Sequence, residues 1–183
     1  MNTQERKRRI VDTALQLFSE NGYDKTSIRD IAKHANMSLG LLYNYFASKE
    51  RLLEAIVQEG IDDLKHSLDL TRHSHQDLLS LLKTIFSVIA RKRNHWRLLH
   101  IIRTQQHLAD LLAVQYDAFN NYLISELSLQ LRQMGFQNSV SEALLLYATI
   151  DGLATHYLSN DKYPLDKVLE QLEKKYVVPV QWS

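Results

Sequence analysis

An all-helical fold of about nine helices is predicted by three observations. Only two prolines and five glycines interrupt 183 residues, leucine is abundant, and the long stretches between breakers carry apolar residues at helical spacing. A chain of this length buries a real core, as one large domain or as a small domain joined to a larger one. Cysteine is absent, which excludes disulfides, thiolate metal sites and a cysteine nucleophile. No apolar run approaches the ~20 residues of a membrane span, and no signal-peptide core follows the basic start. A soluble, cytoplasmic protein is the expectation.

Taken in order, the first helix is expected from about Gln4 to Asn21, with Ile10, Ala14, Leu17 and Phe18 as its apolar stripe. Gly22 suits the left-handed residue past its end, and Tyr23 folds back on a small core. Ser27 with Asp30 three residues on reads as a capping box, and Ile31, Ala32 and Ala35 share one face of a second helix. Asn36 tolerates the left-handed conformation of a tight turn. Ser38 then caps a third helix that sends Leu42 inward, with Phe46 anchoring its exit. Two short helices joined this way make a helix-turn-helix, whose second helix enters a DNA major groove. The net charge of +1 is no nucleic-acid signal by itself. Arg6, Lys7, Arg8 and Arg9 at the start of the first helix are suited to a phosphate backbone, although without the neighbouring motif a solvated helix end would be the better account.

From about Ile10 to Val57 the chain resembles the N-terminal domain of the tetracycline-repressor (TetR) family of transcription regulators. The resemblance is carried by Ala14, Leu17, Phe18, Gly22, Tyr23, Thr26-Ser27-Ile28, Asp30-Ile31-Ala32, Ala35 and Ser38. It continues through Gly40, Leu42-Tyr43, Tyr45-Phe46, Ser48-Lys49 and Leu52-Leu53. It implies a three-helix DNA-binding domain over residues 1–47 and a larger helical effector-binding and dimerisation domain over 48–183. It also implies a ligand-responsive regulator, most simply a repressor, that binds a palindromic operator as a homodimer and is released by a small molecule. With Leu42 and Phe46 inward by the family pattern, Ser38, Leu39, Leu41 and Asn44 face DNA. The resemblance assigns Thr26, Tyr43, Tyr45 and Lys49 mainly to phosphates and Leu39, Gly40 and Leu41 to bases; Ser27 and Arg29 belong to the same candidate surface. Leu39 and Leu41 depart from the Lys and Thr common there. Apolar side chains contact thymine methyls but cannot hydrogen-bond a base edge; packing beneath the helix is the alternative for either.

Beyond the head, Ser48 caps a long fourth helix to about Leu70, in which Gly60 is an isolated glycine marking a bend or a close approach. Further helices are expected over about Gln76–Arg93, His95–Arg103 and Gln106–Met134, then Ser139–Ser159 and a last one opened by Pro164. The Ser139–Ser159 helix is apolar all round and must be covered on all sides, which a second subunit does. Leu144, Ala148, Gly152, Thr155, Leu165 and Leu169 are the candidate interface, as a four-helix contact. Polar residues set among apolar ones, His100, Arg103, Gln106, His107, Tyr116, Asn120 and Tyr147, are the candidate effector pocket; ordinary buried hydrogen bonding is the alternative for each. His66, His73 and His75 raise a metal site, but no zinc-enzyme spacing accompanies them, and neither metal nor cofactor is expected. No Gly-x-Ser-x-Gly turn, glycine-rich phosphate loop or supported carboxylate pair argues for an enzyme. The rival reading is a helical interaction protein using the helix-turn-helix only for packing.

Overall fold

The computed structural model describes residues 2–72 and 78–177, and these form ten helices with no strand among them. They run α1 Thr3–Asn21, α2 Ile28–His34, α3 Leu39–Tyr43, α4 Lys49–Arg72 and α5 Leu78–Arg91. Then come α6 Arg93–Arg103, α7 Gln106–Leu111, α8 Ala113–Gln133, α9 Ser139–Ser159 and α10 Leu165–Val177. His73 and His75 lie outside the described residues.

The extra helix relative to the nine expected comes from a break at Leu112. That residue leaves helical geometry at φ −103°, ψ 5° and is fully buried. No glycine or proline marks the position. Leu108 and Leu112 are both buried there.

Two compact units emerge. The first takes Met1–Asp63 with Lys92–Tyr116, and the second Leu64–Arg91 with Asp117–Ser183. In the first, α1 packs on both α2 and α6. Its core is Ile10, Ala14, Phe18, Ile31, Leu42, Leu52, Leu53 and Ile56, with Leu98, Leu99 and Ile102 from α6. The helix-turn-helix is therefore built into a unit that includes α6 and α7. In the second unit α5 buries Leu81, Leu82, Ile85, Phe86 and Ile89 and packs on α10, which contributes Leu169 and Leu172. Long α4 belongs to both, changing unit after Asp63.

Helix α9 is not evenly buried. Ala143, Leu146, Ile150 and Leu158 enter the core, while Val140, Leu144 and Leu145 are 56, 51 and 60% exposed. Ala148 and Gly152 continue that exposed side. The described residues leave this apolar stripe uncovered.

Candidate nucleic-acid interface

The head is set by caps at each joint. Asn2 and Glu5 bond reciprocally across the start of α1, and Gly22 ends it at φ 84°. Ser27 accepts from the Asp30 amide while Asp30 accepts from Ser27, the reciprocal box read from sequence. That bonding holds the Asp30 carboxyl below its ordinary range. The turn passes through Asn36 at φ 53°. Ser38 caps α3, its hydroxyl accepting from the Leu41 amide at 3.1 Å.

Helix α3 hangs from one point. Leu42 is fully buried and Phe46, just past its end, is 5% exposed. At 100° per residue, Gly40 lies on the side opposite Leu42, with Leu39 and Leu41 on its two flanks. The exposures agree: Gly40 and Asn44 are exposed, Leu39 and Leu41 half-buried, and Tyr43 is 46% exposed. Tyr45 is half-buried and Arg29, on α2, is exposed. Lys7 on α1 lies 5.9 Å from the centroid of the Phe46 ring, so the basic start of α1 stands beside the exit of α3.

Thr26 and Lys49 do not lie on that outer face. Thr26 is 2% exposed, and its hydroxyl donates to the Gly22 carbonyl at 2.9 Å, with the Leu17 carbonyl at 3.3 Å. The Lys49 ammonium donates to the carbonyls of Tyr23 and Thr26 at 2.9 and 3.0 Å and sits 4.1 Å from the Tyr23 ring centroid. The Tyr23 hydroxyl in turn donates to Glu50 at 3.3 Å, and burial, followed by the Glu50 charge, pushes that hydroxyl's pKa up. Together these groups clamp the α1–α2 turn onto the start of α4. Sequence spacing marked Thr26 and Lys49 as special without revealing which way they point.

The seven candidate effector residues are divided. His100, Arg103, Gln106, His107 and Tyr116 belong to the first unit, Asn120 and Tyr147 to the second. Gln106 donates to Asp110, His107 stands 3.4 Å from Asp24, and the Tyr116 hydroxyl donates to the Leu99 carbonyl at 3.2 Å. Tyr147 donates to Asn120 at 2.6 Å. A cavity of about 510 Å³ in the second unit has different walls, among them Lys83, Phe86, Tyr157, Tyr163 and Leu169. Sequence reasoning missed it because its wall joins α5 to the α9–α10 turn. Of the candidate interface residues, Leu144, Ala148 and Gly152 are exposed and Thr155 and Leu165 half-buried. Leu169 is 6% exposed, already used inside its own chain.

A capped helix pair held from beneath by Leu42 and Phe46, with a half-polar outer face, is a helix-turn-helix, and comparison with known proteins agrees. Residues 10–56 match the family described as bacterial regulatory proteins, tetR family. HbdR of Aromatoleum sp. (strain CIB), an HTH-type transcriptional regulator, is 26% identical over 178 residues, which is 92% of this chain and 77% of HbdR. IcaR of Staphylococcus aureus (strain Newman), named a negative transcriptional regulator of the biofilm operon icaADBC, is 36% identical over 84 residues. That alignment spans 45% of each chain, so less than half of IcaR's length is covered. A solved regulator from Saccharomonospora viridis, in complex with choline, has the same fold at TM-score 0.71 and 22% identity, covering 94% of this chain and 95% of that one. Over residues 10–56 the chain is thus similar to the tetR family of bacterial regulatory proteins, and over nearly its whole length it shares the fold of such regulators.

Proposed function

We propose that the chain is a cytoplasmic repressor that binds a palindromic operator as a two-fold dimer and is released by a small-molecule effector. The observation carrying this reading is the outer face of α3. Gly40, Tyr43 and Asn44 with Arg29 are exposed while Leu42 and Phe46 hold the helix from beneath. That is the arrangement a major-groove helix needs. Tyr43, Tyr45 and the basic start of α1 supply phosphate partners; Thr26 and Lys49 serve the site by fixing the turn.

Dimerisation is supported by the exposed apolar side of α9, since identical stripes cover each other in a two-fold contact. Val140 and Leu145 join Leu144, Ala148 and Gly152 in that surface. Repression is supported by the name that IcaR carries. An effector is supported by the choline held by the Saccharomonospora viridis relative and by the 510 Å³ cavity of the second unit. Helix α4, shared by both units, is the lever through which a ligand changes head spacing. Release requires that the ligand bind better to a conformation whose spacing does not fit the operator.

Binding of the full chain to genomic fragments at several salt concentrations tests the reading, followed by footprinting of the retained fragments. A steep fall of affinity with salt and a two-fold symmetric footprint are expected. Retention of no fragment at low salt would leave the helical interaction protein as the better account.

A further inference from the structure

The outer face of α3 carries an unusual chemistry for a surface that must read bases. Gly40 occupies its crown, opposite the fully buried Leu42, and a Cβ placed there would meet nothing within 4 Å among the described residues beyond its own helix backbone and chain neighbours. Its backbone is not in the left-handed region, unlike that of Gly22 and Gly135. Among the described residues neither packing nor conformation calls for glycine at position 40, and its bare backbone lets a partner approach the helix closely there. On either shoulder stands a half-buried leucine, Leu39 and Leu41. The three residues make a shallow apolar notch at the first turn of the helix.

Neither leucine can donate or accept a hydrogen bond. On the major-groove edges of the four base pairs the one apolar group is the C5-methyl of thymine. Asn44, exposed one turn beyond Gly40, carries an amide matched to the N6 and N7 positions of adenine, thymine's partner. One helix face thus presents groups for both halves of a T·A pair.

We propose that Leu39 and Leu41 are specificity-determining residues that read thymine methyl groups across the notch at Gly40, and that the operator half-site carries thymines at the positions they meet. The proposal rests on the DNA-binding reading above. Each methyl contact removes one carbon from water, which corresponds to roughly a fourfold gain in affinity. Two-fold symmetry repeats the contribution in the second half-site.

The test uses the full-length protein and duplexes of randomised sequence. Selection yields the preferred duplex, which is then remade with deoxyuridine for individual thymines, a change that removes the methyl and keeps every hydrogen-bonding group. Affinity should fall roughly fourfold at each methyl that is read, and only at one or two positions per half-site. Leu41→Ala or Leu39→Ala should bind the thymine and deoxyuridine duplexes alike at the corresponding position. Selective binding by the wild-type chain that is indifferent to every such replacement would overturn the thymine reading while leaving DNA binding intact. Absence of any selected duplex would overturn the DNA-binding reading, and this one with it.

Discussion

The imidazole of His95 occupies the space that a side chain at position 60 would need. A Cβ built on Gly60 lies 2.7 Å from His95 Cδ2 and 3.2 Å from Cε1, and overlaps Nε2. Glycine inside a long helix costs about 1 kcal/mol against alanine, and here it admits α6 onto α4. Gly60→Ala should therefore destabilise the protein by about 1–3 kcal/mol despite its better helix propensity. Chemical denaturation of Gly60→Ala, His95→Ala and the double variant checks the pairing. The double variant should be more stable than the sum of the single losses implies, and strict additivity would refute the contact.

The same histidine makes stability depend on pH. His95 is 3% exposed, and burial, followed by the nearby Lys92 charge, pushes its pKa down from 6.5 to about 4; Asp63 and the Ile56 carbonyl pull the other way. Lys92 is itself paired to Glu59 and Asp63. With the folded pKa below the unfolded one, the unfolded chain takes up the proton first as pH falls. Stability contributed by the neutral ring is complete above 6.5 and is lost on acidification toward 4. The loss between about pH 7 and about pH 5 should be about 2 kcal/mol. Melting curves across that range should show this slope in the wild type and a shallower one in His95→Leu.

Lys49→Ala should unsettle the head before it alters any charge-dependent affinity. The ammonium holds two backbone carbonyls of the α1–α2 turn, and losing these charge-assisted bonds costs about 1–3 kcal/mol, although the Tyr23 carbonyl keeps the Thr26 amide at 3.2 Å. Hydrogen exchange should report faster opening of residues 22–27 in free protein. An unchanged exchange pattern with weaker DNA binding would return Lys49 to a phosphate-contacting role.

Gly40→Ala separates stability from binding. With open space around the new methyl, the variant should be as stable as wild type or up to about 1 kcal/mol more so. Operator affinity should nevertheless fall about tenfold or more, the factor that ~1.4 kcal/mol of steric conflict produces. Thermal melting and duplex titration of one preparation measure both.

Assembly is tested at Gly152, which is exposed; among the described residues, its own helix backbone and chain neighbours aside, nothing lies within 4 Å of a built Cβ. Gly152→Phe should leave the helical circular-dichroism spectrum unchanged and move the sedimentation coefficient from dimer to monomer. A variant that still sediments as the wild-type dimer would take Gly152 out of the interface.

Local chemistry made the head legible in the sequence. Ser27 with Asp30, Asn36 at the turn, Ser38 before α3 and Gly22 after α1 act through neighbours within four residues, so their spacing pointed to a helix-turn-helix, which the resemblance from Ile10 to Val57 made specific. The same holds for α9, whose bounds and apolar character follow from its own run of residues. Tertiary packing decided what depends on distant partners. The break at Leu112 has no glycine or proline to announce it, and it falls at a fully buried residue. The inward turn of Lys49 depends on the Tyr23 and Thr26 carbonyls, more than twenty residues back in the chain, and that of Thr26 on the Leu17 carbonyl as well as the nearer Gly22. Gly60 gained its reason only when α6, more than thirty residues away, laid His95 across it. Side-chain direction at such positions is fixed by long-range contacts that leave no periodic trace in the chain.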